Sequence, residues 1–343
     1  MNGFGGLCGG AFTVLHSMPF IRWLNCLFFS VYTHEVCMSG IKIIMLFTPT
    51  DQNKQDYRHQ GFLVVDKILP PEQLLKLHQA FDDVFNGTFE TGITPDEVNW
   101  QYESGDPSLT RQVCNGWKAN RTIAQVVLSE SLGRSVAQLA GWPGVRIMID
   151  NLLAKPQGAR SLGYHQDSAY LAWFSPSDLI SCWIALDDTT QSGGTLEFVR
   201  GSHQWQKGTP SGEFHGPEDY RKPMHHAAQN QGVEPQIEYV EVKAGGGSVH
   251  HGWTWHGSGA NETASPRRAL VLHLMRCDAE YDPTKFDKGI GPIYSRYKHL
   301  GDNLLDENYF PILWHEDGSR TETIDDYLVS LEPMLSAQST KDT

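Results

Sequence analysis

The chain has 343 residues, of which 40% are hydrophobic and 20% charged, so it has an ordinary globular composition and can bury a core without a disulfide or a metal. Its formal net charge of −13 at pH 7 argues against a nucleic-acid binder, which needs a basic surface to neutralise phosphates. The six cysteines form no Cys-x-x-Cys pair, which excludes a zinc ribbon or a disulfide framework and favours a reducing, cytoplasmic compartment.

The N-terminal segment 1–44 is predicted to lie outside the fold, as a mis-called start or a disordered extension. Its apolar stretch 12–32 resembles a weak signal or anchor, but Pro19 and polar residues interrupt it, so it would make a poor membrane span. The sequence from Met45 reads like a natural domain opening, and we expect 45–343 to form one domain. A membrane anchor and a packed extension remain open alternatives.

Helices are predicted before residue 145. Residues 51–60 are polar and should form a helix that Gly61 stops, followed by a short strand over 62–69. Proline then opens an amphipathic helix over 70–87, because its missing N–H costs nothing in a first turn. Apolar residues at helical spacing predict another helix or helix pair over 120–140.

From Val145 onward, the sequence pattern changes to short runs rich in β-branched and aromatic residues, separated by Gly, Pro, Asp and Ser. Such runs are typical of an antiparallel barrel or jelly roll. Residues 204–236 are polar and look like a long inserted loop that serves as a lid, and a last helix is predicted near 322–334. The predicted strands cover 145–156, 178–188, 194–203, 237–252 and 267–275.

The first motif that could carry chemistry is "GYHQDSAY" (163–170), which contains His165-x-Asp167. In a strand or at its exit, residues i and i+2 point to the same side, so an imidazole and a carboxylate can reach one ion. Two histidines and one carboxylate with open positions are typical of non-heme Fe(II) oxygenases. Taken alone, a His-x-Asp pair also occurs by chance.

The third ligand would have to come from a distant strand, and the stretch "SVHHGWTWHGSGAN" (248–261) offers His250, His251 and His256. Arg267 stands eleven positions after His256 and begins an apolar strand. Its forked donors fit a carboxylate, although a surface position at a strand start would explain it equally well in isolation. Together these residues predict a ferrous site beside a pocket for a 2-oxo diacid.

The chain resembles the phytanoyl-CoA dioxygenase family of Fe(II)- and 2-oxoglutarate-dependent oxygenases over roughly residues 55–315. The resemblance implies a mainly β fold, with a double-stranded β-helix core (a cupin-like jelly roll) and flanking helices. It also implies decarboxylation of 2-oxoglutarate to succinate and CO₂ with hydroxylation of an unactivated C–H bond. The motifs that carry it are "YHQD" (164–167), "PSDLISCWIALDD" (176–188), "GGTLEFVRGSH" (193–203), "HGWTWHGSGAN" (251–261) and "RRALVLHLM" (267–275).

Carried over residue by residue, the resemblance makes His165, Asp167 and His256 the catalytic iron ligands. It makes Arg267 the residue that holds the far carboxylate of 2-oxoglutarate. The halogenases of the family replace the metal carboxylate by a small residue, so the presence of Asp167 favours hydroxylation.

The resemblance also places Trp183, Ser258 and Asn151 along the co-substrate pocket. His250 and His251 are then neighbours of the site or structural residues, with His251 the stronger alternative to His256. His273 alternates within an apolar strand and is interpreted as a hydrogen-bonded core histidine.

The predicted function is hydroxylation of a small molecule or a lipid-like substrate, with Fe(II) as cofactor, 2-oxoglutarate and O₂ as co-substrates, and ascorbate helpful in vitro. Neither nucleic acid nor a membrane is required, and the oligomeric state is left open. The alternatives are an acyl-CoA-specific α-hydroxylase, a non-catalytic cupin-like protein that binds metal or ligand, and a zinc hydrolase that uses the same three ligands.

Overall fold

In the computed structural model of the chain, residues 46–99, 105–210 and 214–329 are described. The expectations for segment 1–44 and for the end of the last predicted helix lie outside these residues. The helices are α1 Asp51–Gln60, α2 Pro71–Phe85, α3 Arg121–Val127, α4 Glu130–Ala140, α5 Asp167–Tyr170, α6 Lys222–Gln231, α7 Gly291–Tyr294 and α8 Thr323–Val329, with short 3₁₀ turns at Gly116–Lys118, Ser202–Gln204 and Ser295–Tyr297.

The strands form two antiparallel sheets and a separate short pair. They are β1 Phe62–Val65, β2 Glu97–Val98, β3 Arg111–Cys114, β4 Gly144–Lys155, β5 Leu162–His165, β6 Phe174–Ser175, β7 Leu179–Ala185, β8 Leu196–Val199, β9 Ile237–Tyr239, β10 Gly247–His251, β11 His256–Ser258, β12 Arg267–Arg276, β13 Glu280–Tyr281 and β14 Ile312–His315. The larger sheet has the order β1-β10-β7-β12-β4-β3-β2, with β14 also paired to β4; the smaller has the order β5-β11-β8-β9, and β6 pairs with β13.

The two sheets stack face to face over a shared apolar core. Phe62 of the larger sheet stacks on Phe198 of the smaller one, with ring centroids 4.6 Å apart, and Trp183 and Val271 belong to the same buried group. Two antiparallel sheets packed in this way form a jelly roll. The predicted mainly β fold with flanking helices is therefore confirmed.

The strand β12 shows how the fold orients the site residues. Alternate residues of a strand face opposite sides, and Leu270 and Leu272 pack in the core that the helices α2–α4 share with the larger sheet. Val271 instead lies in the core between the sheets. Arg267 and His273 are an even number of positions from Val271, so they share its face and point into the jelly roll.

The predicted helices before residue 145 are confirmed. Thr50 caps α1, and Gly61 ends it in the left-handed conformation at φ 86°, which glycine adopts without strain. The region 120–140 forms the pair α3 and α4, separated by a break in which Ser129 caps the second helix. The strand predicted over 62–69 ends at Val65.

The inserted segment 204–236 was predicted to be a long loop, but part of it is helical. It contains α6, whose first turn holds a proline and which ends at Gly232 in the left-handed conformation at φ 68°. Met224 and Ala228 anchor this helix by burial. The signal was present in the sequence, because "KPMHHAAQNQ" has no β-branched residue and is closed by glycine.

Two further observations concern the cysteines and the possibility of a membrane span. Cys114, Cys182 and Cys277, the cysteines of the described ranges, are buried and form no disulfide. None of the helices within those ranges is long and apolar enough to cross a membrane.

Candidate metal and co-substrate site

Three side chains converge at one end of the smaller sheet. His165 ends β5, Asp167 begins α5, and His256 begins β11, where it pairs directly with His165. Asp167 Oδ1 lies 3.3 Å from His165 Nε2 and 3.4 Å from His256 Nε2. Ligands about 2.1 Å from one ion and at right angles are about 3 Å apart. The three groups therefore fit three adjacent positions on one metal ion, and they are the only such cluster found in the described ranges.

The imidazoles are oriented by the backbone. Nδ1 of His165 is 2.9 Å from the carbonyl oxygen of Gly163, and Nδ1 of His256 is 2.9 Å from that of Thr254. Because a carbonyl oxygen only accepts, each Nδ1 carries the proton and each Nε2 presents its lone pair to the metal position. The backbone thus selects the tautomer that binds a metal.

Glycine allows the two ligand strands to approach. A Cβ atom at Gly257, the residue after His256, would lie 2.5 Å from the ring of Tyr164. Such a distance is a clash, so any side chain at this position would push β11 away from β5 and separate the two histidines. The glycine that follows His256 in the sequence therefore has a packing role.

The two oxygens of Asp167 have different surroundings. Oδ1 faces the ligand histidines, whereas Oδ2 accepts hydrogen bonds from Ser181 Oγ at 2.6 Å and His250 Nε2 at 3.1 Å. Ser181 Oγ is also 2.7 Å from Nδ1 of His273. One oxygen is thus available to a metal while the other fixes the carboxylate in place.

Asp167 and the histidines around it shift one another's pKa values. Burial disfavours the carboxylate form of Asp167, but His256, His273 and the hydrogen bonds to its oxygens outweigh burial and hold the pKa of Asp167 well below its usual range. Burial, together with the neighbouring His256, lowers the pKa of His165, and burial lowers that of His250 to about 4. The pKa of His256 is instead raised, because the charge of Asp167 and its hydrogen bonds outweigh burial. Metal binding requires the neutral imidazole, so a metal ion would displace a proton from His256.

Arg267 lies inside the jelly roll with 3% of its surface exposed. Its Nη2 donates to the Gly194 oxygen at 2.9 Å and to Ser258 Oγ at 3.1 Å, and the guanidinium lies 5.7 Å from the ring centre of Trp183. Its Nε and Nη1 are buried and have no hydrogen-bond partner in the described part of the chain. Burial lowers the pKa of Arg267 to about 10. Two unused donors on a buried cation fit a carboxylate.

Lys155 is a second buried cation, which the sequence analysis did not single out. It pairs with Arg267 across β4 and β12, and its Nζ donates to Ser258 Oγ at 2.6 Å and to the Gly259 oxygen. Burial and the charge of Arg267 depress its pKa well below the usual range. The sequence shows only a lysine at the end of an apolar strand, and its position opposite Arg267 depends on the pairing of β4 with β12.

A cavity joins these groups. It includes the three residues of the metal cluster and Arg267, and the predicted Trp183, Ser258 and Asn151 all line it. Nδ2 of Asn151 contacts Nε2 of His273 at 3.1 Å, so His273 is hydrogen-bonded, as interpreted, but it also borders the site. The structure brings all seven predicted site residues to one cavity, while their roles stay predictions.

Of the two histidines of β10, the one that contacts the site is His250 and not His251, which the sequence analysis had ranked as the stronger alternative to His256. His250 contacts Asp167, whereas His251 points to the other side and accepts from the backbone N–H of Trp253 at 3.0 Å. Phe214 was also missed. Its ring lies edge-on to His165 at a centroid distance of 4.7 Å, and no local pattern in the insert pointed to this long-range contact.

Comparison with known proteins also points to an iron- and 2-oxoglutarate-dependent family. A family model described as phytanoyl-CoA dioxygenase (PhyH) matches residues 57–269. A probable alpha-ketoglutarate-dependent hypophosphite dioxygenase of Stutzerimonas stutzeri is 23% identical, covering 66% of this chain and 79% of that protein. The peroxisomal phytanoyl-CoA dioxygenase of Homo sapiens is 24% identical, covering 69% and 71%.

Solved structures share the fold. The non-heme alpha ketoglutarate dependent carbocyclase SnoK from nogalamycin biosynthesis superimposes with a TM-score of 0.60 at 23% identity, covering 77% of this chain and 96% of its own. The epimerase SnoN from the same biosynthesis gives 0.58 at 20% identity, covering 77% and 98%. At this identity the likeness shows a common jelly roll.

Proposed function

The chain belongs to the phytanoyl-CoA dioxygenase family of iron- and 2-oxoglutarate-dependent dioxygenases, and we propose that it hydroxylates an unactivated C–H bond of a small-molecule or lipid-like substrate. With ferrous iron, 2-oxoglutarate and O₂ bound, such a centre supplies the oxidising power for this step while 2-oxoglutarate is converted to succinate and CO₂. The protein itself binds, orients and shields the reactants.

We assign His165, Asp167 and His256 as the iron ligands. Two neutral imidazoles and one carboxylate leave a ferrous ion close to neutral overall charge and leave further positions for the co-substrates. The backbone carbonyls on both Nδ1 atoms keep the Nε2 lone pairs directed at the metal position. Asp167 cannot turn away, because its second oxygen is held by Ser181 and His250.

We assign Arg267 to the far carboxylate of 2-oxoglutarate. The support is that its two unused donors are buried in the same cavity as the metal cluster, where an unpaired charge is costly. Ser258 and Trp183 contact the guanidinium and hold it in place, and Asn151 borders the cavity near His273.

One observation carries the proposal more than the others. A metal-binding triad alone would also suit a zinc hydrolase or a non-catalytic binding protein. A buried guanidinium with free donors in the same cavity is explained by an anionic co-substrate that binds beside the metal. The names of these two relatives refer to substrates as different as hypophosphite and phytanoyl-CoA, so they do not select between a free small molecule and an acyl-CoA.

The decisive experiment measures succinate formed from 2-oxoglutarate by the purified chain with Fe(II), ascorbate and O₂, with and without a panel of candidate substrates. We expect slow succinate release alone and faster release with a substrate. His256→Ala should abolish both, whereas His226→Ala, an exposed residue of α6, should leave both unchanged. Absence of succinate across the panel, together with no anaerobic absorbance change on adding 2-oxoglutarate, would contradict the proposal. Activity with zinc in place of iron would favour a hydrolase.

A further inference from the structure

A second cavity meets the first one at the metal cluster. Its volume is about 270 Å³, and it shares Asn151, His165, Asp167 and Phe214 with the co-substrate cavity. Arg267 lines only the first cavity, so the second is the space that remains for the substrate on the proposed function. Its own lining residues are Glu97, Cys114, Ile149, Tyr170, Leu171, His215 and Ile290.

Glu97 places a negative charge on the wall of this second cavity, and no described positive side chain balances it there. Apart from the metal-site Asp167, it is the single carboxylate on the described wall, and no lysine or arginine of the described ranges lines it. The nearby cations are engaged elsewhere, because Lys118 bonds to Asp96 at 2.7 Å and Arg296 does so at 3.1 Å. The segments 100–104 (WQYES) and 211–213 (SGE), which adjoin wall residues in sequence, contain no lysine or arginine either.

The strand pairing places Glu97 relative to Asn151, which lines both cavities. Glu97 pairs with Cys114 on β3, which pairs with Asn151 on β4. Two strand spacings of about 4.8 Å put the backbone of Glu97 on the order of 10 Å from that of Asn151. The hydroxyl of Tyr294 donates to Glu97 Oε1 at 3.1 Å and fixes its direction.

Glu97 is partly buried, so the lack of a cationic partner for its carboxylate matters. Burial raises the pKa of Glu97, because the hydrogen bond from Tyr294 does not replace the lost water. The hydrogen-bond donors to Glu97 are the neutral side chains of Tyr294 and Cys114, and no ion pair to it is formed within the described residues. A carboxylate in such a partly buried position gains most from a cationic donor. The net charge of the chain, −13, also favours the approach of a positively charged ligand.

We propose that the substrate of this enzyme carries a protonated amino group, which Glu97 binds in the second cavity. The inference rests on the proposed function, because that function makes the second cavity the substrate site. The reacting carbon would lie beside the triad while the ammonium group is held by Glu97. A carboxylate or phosphate in the same place would meet only like charge.

Ligand-observed NMR on the full chain tests this without turnover. The probes are small primary amines, each paired with the alcohol and the carboxylic acid of the same carbon skeleton. We expect the amines to bind at least about tenfold more tightly than the matched acids, the size of one charge-assisted hydrogen bond. Equal binding of amines and acids, or a set in which no amine binds, would overturn the proposal.

Variants assign the effect to Glu97. Glu97→Gln keeps the shape and an acceptor for Tyr294, so it should fold, and it should lose about tenfold in amine affinity. Glu280→Gln changes an exposed glutamate of β13 that lines neither cavity and should bind amines like the unchanged chain. Full amine binding by Glu97→Gln at an unchanged melting temperature would overturn the proposal.

Succinate release measured on the same preparations separates the two proposals. Amine binding that depends on Glu97, without any succinate formation, would contradict the oxygenase proposal alone. Succinate formation with no preference for amines would contradict the amine proposal alone.

Discussion

His250 holds the oxygen of Asp167 that faces away from the two other metal-site residues, with His250 Nε2 3.1 Å from Asp167 Oδ2. Since a carboxylate only accepts, Nε2 carries the proton. The bond restrains rotation of the carboxylate and keeps Oδ1 directed at the metal position. Groups that support a ligand in this way contribute 10–100-fold to metal affinity in known sites.

We predict that His250→Ala weakens Fe(II) binding by roughly 10–100-fold, whereas the neighbouring His251→Ala leaves it unchanged. His250→Gln should recover part of the loss, because its amide can still donate to Asp167. Anaerobic titration with Fe(II), with a melting curve for each variant, measures this. Equal losses in the two alanine variants would show that His250 has no special role.

The adjacent arginines of β12 provide a second test. Arg267 points into the cavity, while Arg268 faces the other side and pairs with Asp187 at 2.8 Å. We predict that Arg267→Ala weakens 2-oxoglutarate binding about 100-fold or more, as expected when one partner of a buried charge pair is removed. Iron binding should be unchanged, and Arg268→Ala should affect neither. Calorimetric titration of 2-oxoglutarate under anaerobic conditions gives the answer. A normal affinity in Arg267→Ala would refute the assignment.

These two arginines also show what the sequence could predict. The run "RRALVLHLM" has apolar residues on both faces, because both faces of β12 are buried, so its composition predicted a strand but not its orientation. The His-x-Asp pair, the distal histidine and Arg267 were found because their spacing matches a family pattern. The jelly roll followed from the short β-branched and aromatic runs after Val145 and from the same motifs.

Other site residues could not be predicted because their roles depend on contacts between distant segments. His250 and His251 are adjacent in a five-residue strand, and only its pairing decides which of them faces Asp167. Lys155 is identified by its position opposite Arg267. Phe214 lies in an insert whose path over β5 no local pattern specifies.

A buried ion cluster outside the site gives a stability prediction. Asp96 bonds to Lys118, Arg296 and Asn115, and its side chain is 6% exposed. Burial alone would raise its pKa, but the charge of Lys118 and the hydrogen bonds outweigh burial and lower it. A lowered pKa in the folded state means that the carboxylate stabilises the fold above the unfolded pKa of about 4, and that this contribution disappears as the pH falls below it.

We therefore predict that Asp96→Asn lowers the free energy of unfolding at pH 7 by about 3 kcal/mol, because it leaves buried Lys118 without its partner. The difference from the unchanged chain should shrink as the pH falls below about 4. Urea unfolding at a series of pH values measures it, with the exposed Asp325→Asn as control. A difference that does not change with pH would mean that the charge of Asp96 is not responsible.

The insert 204–236, expected from the sequence to act as a lid, is tied to the strand that carries His165. The backbone N–H of Gly163 donates to the Phe214 oxygen at 2.8 Å. Beside this contact, the buried carboxylate of Glu197 accepts from Tyr164 at 3.0 Å, Tyr220 at 2.9 Å and Arg221 at 2.6 Å. Two of these three donors belong to the insert, so Glu197 connects the insert to the core.

We predict that Arg221→Ala loosens the described parts of the insert, because Glu197 then keeps a buried charge with only tyrosine donors. Hydrogen exchange of residues 214–236 should become faster, while exchange in β12 stays the same. Arg200→Ala is the matched control, since Arg200 pairs with Glu238 on the surface, where both side chains are more than a third exposed and an ion pair contributes little. If the insert covers the site, Arg221→Ala should also release more succinate per hydroxylated product, because water then reaches the reactants. Faster exchange with an unchanged ratio of succinate to hydroxylated product would show that the insert is anchored through Glu197 but does not act as a lid.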